Sequence, residues 1–124
     1  VYDIAERHDL LVMNVFHAGD GNLHPLLLYD AREPGVLERV HAAGAEIVEV
    51  SLAAGGVLSG EHGVGIEKQP YMERLFSTAD LDHQERLRSA FDPACRQNPG
   101  KVIPHGHSCA DIQSLREVPT GVWG

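Results

Sequence analysis

Leu10-Leu11-Val12-Met13-Asn14-Val15-Phe16-His17-Ala18-Gly19-Asp20-Gly21-Asn22-Leu23-His24-Pro25-Leu26-Leu27-Leu28-Tyr29 holds two apolar runs joined by a glycine-rich turn. Leu10 to Phe16 is almost continuously apolar, the pattern of a strand buried on both faces. Leu23 to Tyr29 repeats it. Between them, Gly19-Asp20-Gly21-Asn22 supplies residues that tolerate positive φ and side chains that bond their own backbone, so the segment reads as a hairpin-like turn. His17 and His24 then flank one turn, and on paired strands they converge on one point in space.

Working outward, Val1 to His8 reads as the end of a helix already under way. Pro34 suits the first turn of another. From there Val36, Leu37, Val40, Ala43, Ile47, Val48 and Leu52 recur at the spacing of one buried face, which predicts a helix of about twenty residues. Gly55-Gly56 stops it. Strands beside a long helix predict an α+β fold, an antiparallel sheet with helices packed on one side. Further on, Val57-Leu58-Ser59 is expected as a short strand and Tyr71 to Phe76 as a short helical piece. Ser77-Thr78-Ala79-Asp80 carries a helix-capping signal for a last helix over Leu81 to Phe91. That helix stops at Asp92-Pro93, because proline disfavours the α conformation in the residue before it. Residues 98–124 read as an extended C-terminal tail.

The 124 residues fit a single domain, and a hydrophobic content of 43% with 23% charged residues lies far from the composition of disordered chains. A net charge of -8, with 10 Lys and Arg, argues against nucleic acid as a partner. No apolar run reaches membrane-spanning length, so no transmembrane segment is expected. Cys95 and Cys109 lie fourteen residues apart without a Cys-x-x-Cys pairing, which suits reduced thiols in a cytosolic compartment. There is no initiator Met and no basic-then-apolar leader, and the chain is expected to be a piece of something longer.

The second informative stretch is Ser59-Gly60-Glu61-His62-Gly63-Val64-Gly65, where a carboxylate and a third imidazole sit among glycines that let backbone approach a ligand closely. Catalytic zinc commonly takes three protein ligands and keeps a position open for water or substrate. His17, His24 and Glu61 match that count. The plainer alternative is that each histidine caps a turn or satisfies a buried hydrogen bond. His41 and His83, in the two helices, are expected in water, and His105 and His107 flank Gly106 in the tail. The glycines form no phosphate cradle: Gly19 to His24 lacks the last glycine of G-x-G-x-x-G and runs into a strand, and Gly60 to Gly65 lacks the Gly-Lys-Ser/Thr ending of a P-loop.

Taken in order, His-Ala-Gly-Asp-Gly-Asn-Leu-His-Pro at 17–25, Ser-Gly-Glu-His-Gly-Val-Gly at 59–65, and Phe-Asp-Pro then Asn-Pro-Gly-Lys-Val at 91–102 resemble the C-terminal domain of FAD-linked oxidases of the vanillyl-alcohol oxidase type. The likeness is strongest to the branch holding glycolate oxidase flavin subunits and D-lactate and D-2-hydroxyglutarate dehydrogenases. It covers nearly the whole chain. The resemblance implies that residues 1–124 are one domain, half of a ferredoxin-like cap, whose FAD-binding domain is absent here. It implies a divalent metal, usually zinc, on His17, His24 and Glu61, with His62 as base and Asn98 facing the flavin. The implied reaction oxidises a small D-2-hydroxy acid to the 2-oxo acid. The metal eases alkoxide formation, the base takes the hydroxyl proton and the C2 hydride leaves to flavin. Leu26 stands where some relatives place Asn, which favours glycolate or D-lactate over larger dicarboxylates. The implied partners are the FAD-binding domain and an electron-accepting subunit, in a cytoplasmic protein that can lie peripheral to a membrane. Alone, the chain is expected to be colourless and inert.

Two other classes compete on the same residues. A metal-dependent hydrolase using His17, His24 and Glu61 with His62 as base would be active without flavin. A non-catalytic binding or assembly module would keep its binding when stripped of metal.

Overall fold

The computed structural model describes residues 1–104. The chain forms two compact units, one spanning Val1–His62 and the other beginning at Gly63. The expected extended tail and His105, His107 and Cys109 fall largely or wholly outside the described residues.

In the first unit the order is α1 (Tyr2–Arg7), β1 (Leu11–His17), β2 (Asn22–Leu28) and α2 (Val36–Ala53). The strands pair antiparallel in a register running from Leu11 opposite Leu28 to His17 opposite Asn22. Asp20 N–H donates to the His17 carbonyl at 3.0 Å and Gly21 takes φ 68°, closing the turn between them. Because side chains alternate between faces, Val12 and Leu27 share one face while Leu11, Met13, Val15 and His17 share the other with Leu28, Leu26, His24 and Asn22. Val12 and Leu27 pack with Val40 and Ile47 against a core of Ile4, Ala5, Leu10, Val36 and Ala43. The helices thus cover one face, giving the α+β arrangement expected from the sequence.

Burial of the strands on both faces is not found. Leu11 is 74% exposed and Met13, Val15, Leu26 and Leu28 are exposed with it. The continuous apolar pattern predicts two covered faces, but the packed helices supply one cover. Pro34 also sits outside its expected position. Gly35, at φ 77°, is the N-cap of α2, and the left-handed turn it makes keeps Pro34 ahead of the helix. Leu37 faces water, since the buried stripe is the narrower one of Val36, Val40, Ala43 and Ile47.

The end of α2 follows the expectation closely. Gly55, at φ 84°, donates to the Leu52 carbonyl, and Gly56 N–H reaches back to the Ser51 carbonyl at 2.9 Å. Those two bonds make a Schellman stop. A Cβ on Gly56 would meet the Ser51 oxygen at 2.8 Å, so the second glycine is there for space. Val57-Leu58-Ser59 does not form the expected strand. Leu58 is buried, and the segment serves as a tether from α2 to Glu61.

The second unit holds a 3₁₀ turn at Gln69–Tyr71, α3 (Met72–Leu75) and α4 (Thr78–Phe91). Ser77 and Asp80 form the capping box of α4: the Ser77 Oγ accepts from Asp80 N–H at 3.3 Å, and an Asp80 oxygen accepts from Ser77 N–H at 2.9 Å. Arg88 on α4 donates to the carbonyls of Gln97, Asn98 and Lys101, and Gln69 Nε2 donates to that of Ile103 at 2.6 Å. Cys95 is buried and disulfide-bonded, which corrects the expectation of a reduced thiol. The lack of a Cys-x-x-Cys motif excludes one kind of pairing only. Among the described residues, no helix is long and apolar enough to cross a membrane.

Candidate metal centre

His17 is the last residue of β1 and His24 the third of β2, on the same face and diagonal across the register. Diagonal positions on one face of an antiparallel pair lie within reach of long side chains. The two rings meet edge to face with centroids 5.3 Å apart. Glu61 arrives from the loop after α2, and the Gly63 and Gly65 that follow it take φ of 84° and 61°. Its Oε1 lies 3.3 Å from His24 Nε2 and 3.6 Å from His17 Nε2.

These separations bear on what the cluster can hold. They are longer than the roughly 2.7–3.2 Å of an ordinary N–H···O bond, so the residues do not lock one another in place. Four ligands around zinc at about 2.0–2.1 Å sit on tetrahedron edges of about 3.4 Å, the spacing found here. The donor atoms of His17, His24 and Glu61 all fall within 4.8 Å of one another. Two neutral nitrogens and one carboxylate oxygen also suit zinc by type, so the residues fit a divalent metal. His17 and Glu61 are half exposed while His24 is 19% exposed, leaving the outward side of the trio open for a further ligand.

His62 lies closer to this trio than the sequence suggests. Adjacent residues in a turn are expected to point their side chains apart, yet His62 Nε2 stands 3.4 Å from Glu61 Oε1, and its ring centroid is 4.9 Å from that of His24. The turn bends enough for both side chains to face the hairpin. At 71% exposure His62 is the most open of the four. Asn98, in the second unit, takes φ 46° in the Asn98-Pro99-Gly100-Lys101 turn, with its carbonyl held by Arg88 at 2.7 Å.

The remaining described histidines are elsewhere. His41 and His83 are exposed, as expected, and a ring nitrogen of His83 lies 2.6 Å from the Ala79 carbonyl. His8 Nε2 meets Glu46 Oε2 at 3.0 Å, and Arg7 pairs with the same carboxylate. The hydrogen bond from His8 and then that from Arg7 hold the Glu46 carboxyl below its ordinary value.

One residue at the site was read from the sequence only as part of the turn. Asn22 is the first residue of β2, opposite His17, and its amide lies over Gly60. The signal was present in the strand parity, which puts Asn22 on the same face as His24.

The description "FAD linked oxidases, C-terminal domain" matches residues 1–102. The chain is similar to glycolate oxidase subunit GlcD of Escherichia coli (strain K12), 45% identical over 112 residues that cover 90% of this chain and 22% of that protein. The subunit of the same name from Bacillus subtilis (strain 168) is 44% identical over 103 residues, covering 83% and 22%. A D-lactate dehydrogenase of Archaeoglobus fulgidus is 33% identical over 102 residues, covering 82% and 22%. The chain therefore spans about a fifth of the length of these relatives.

Proposed function

We propose, from the premise that this chain belongs to the FAD-linked oxidases through their C-terminal domain, that it is the substrate- and metal-binding portion of an oxidoreductase acting on a small D-2-hydroxy acid. Glycolate and D-lactate are the substrates named by the relatives' activities. The observation that carries the reading is the convergence of His17, His24 and Glu61, with the Glu61 oxygen 3.3 and 3.6 Å from the two imidazole nitrogens, all three donors within 4.8 Å, and one side open.

His17, His24 and Glu61 hold the metal, zinc by donor type. A bound metal would supply Lewis acidity toward the substrate hydroxyl, and FAD, held outside this chain, would supply the hydride acceptor. The open side of the trio receives the substrate's hydroxyl and carboxylate oxygens. His62 Nε2 faces the same point and accepts the hydroxyl proton. Asn98 is the residue of this chain assigned to the flavin. An electron-accepting subunit completes the cycle.

The test uses the full-length flavoprotein, wild type and His24→Ala. The wild type is expected to carry about one divalent metal per chain, the count set by one three-ligand site, and to bleach its flavin with glycolate or D-lactate. The variant should lose both. Equal metal content in the two proteins removes the hairpin from the site, and turnover of an ester or amide without flavin replaces this reading with a hydrolase.

A further inference from the structure

We infer that Asn22 and Gly60 form a positioning pair that sets where the Glu61 carboxylate meets the two histidines. The inference rests on the metal reading above and concerns how this chain holds its third ligand. A methyl group placed on Gly60 would lie 2.5 Å from Asn22 Oδ1, 2.7 Å from Cγ and 2.9 Å from Nδ2. Carbon atoms normally approach no closer than about 3.5 Å, so the amide occupies the volume that any side chain at position 60 would need.

The placement of the two residues gives this contact its consequence. Asn22 is the register partner of His17 and lies two residues before His24 on the same face. Gly60 immediately precedes Glu61. The Asn22 amide is therefore a spacer between the strand that carries one ligand and the loop that carries another. Glycine at 60 lets that loop come down to the amide, and the amide stops it there. A methyl at 60 meets the far end of the Asn22 side chain and pushes the amide off its seat, so Gly60→Ala and an Asn22 truncation remove the same contact between the strand and the Glu61 loop. Gly19 and Gly63 differ from Gly60 in this respect, since a Cβ on either meets nothing within 4 Å.

Metal affinity of the full-length flavoprotein is the readout, measured by zinc titration against a chromophoric chelator. Far-UV circular dichroism runs alongside to report the fold. Gly60→Ala and Asn22→Ala should each lower zinc affinity by roughly 10–100-fold with the fold intact, the range for residues that orient metal ligands. The double variant should bind no worse than Gly60→Ala alone, because the new methyl takes the space the amide has left and both changes report one contact. Additive losses, or affinities equal to wild type in both single variants, overturn the inference while leaving the metal site standing. A wild-type chain that takes up no zinc overturns the metal reading and this inference with it. Should Gly60→Ala fail to fold, Asn22→Ala and Asn22→Ser decide the matter, and unchanged affinity in both overturns the pairing.

Discussion

Glu61 occupies an unusual place among the four site residues, because a single oxygen, Oε1, faces the Nε2 atoms of His17, His24 and His62 at 3.6, 3.3 and 3.4 Å. Sharing one oxygen separates the roles of its neighbours by what each loses on substitution. In the full-length enzyme, Glu61→Gln should release the metal, since a neutral amide is a poor replacement for an anionic ligand. His62→Gln should retain the metal yet slow flavin reduction by roughly 10²–10⁴-fold, the usual contribution of a general base. Stopped-flow flavin reduction beside metal analysis checks both, and a His62→Gln enzyme as fast as wild type shows that the proton goes elsewhere. Four carboxyls away from the site contribute to the response to acid, the first of them Asp30, held low by the Arg32 side chain and then its N–H. Glu46 is held low by His8 and then Arg7, Asp80 by the Ser77 side chain and then its N–H, and Asp92 by the N–H groups of Arg96 and Gln97. Each folded-state value lies below the unfolded one. Their stabilisation is therefore present above the ordinary carboxylate range near ~4 and is lost as pH falls through the lowered values. Melting temperatures measured down from pH 6 should fall most steeply below about pH 4, and Asp92→Asn should flatten that fall.

At the scale of the element, α4 and α2 show two ways of ending a helix, and they differ in how legible they were. The Ser77-to-Asp80 signal was read in sequence and the capping box is formed. Ser77→Ala should cost about 1 kcal/mol, which for a domain of this size lowers the melting temperature by about 4–8 °C. A Ser77→Ala protein melting with wild type would mean that the box contributes nothing. At the start of α2, Pro34 alone is a fair first-turn residue, but Gly35 beside it takes φ 77° and interrupts the helix that Pro34 would begin. The strands depart from expectation for another reason. Period and apolarity place β1 and β2 correctly, with Leu11–His17 found where Leu10 to Phe16 was expected. They cannot say what lies against each face, because an apolar residue is compatible with any apolar cover. The flanking of one short turn by His17 and His24, by contrast, is local, and it predicts their convergence on paired strands whatever covers the faces.

At the scale of the whole molecule, Glu61 joins the hairpin in sequence by ligand type, glycine framing and resemblance and not by distance, since nothing local in Gly60-Glu61-His62 says how far the chain returns after α2. The Schellman stop at Gly55-Gly56 and the buried Leu58 perform that return. Thirty-six residues lie between His24 and Glu61, α2 among them. A metal held by both ends is therefore a removable cross-link, one that the unfolded chain cannot make without first closing that long loop. Free zinc at a hundred times its dissociation constant adds about 2.7 kcal/mol to the folded state, enough to raise the melting temperature by about 10 °C or more. EDTA should reverse the rise in the wild type and leave His24→Ala unchanged, and a wild-type melting curve indifferent to zinc would count against the cross-link. On the proposed reading, an ion recruited for chemistry would double as a clasp between hairpin and loop, so that metal supply would govern how firmly this unit is held as well as whether it works.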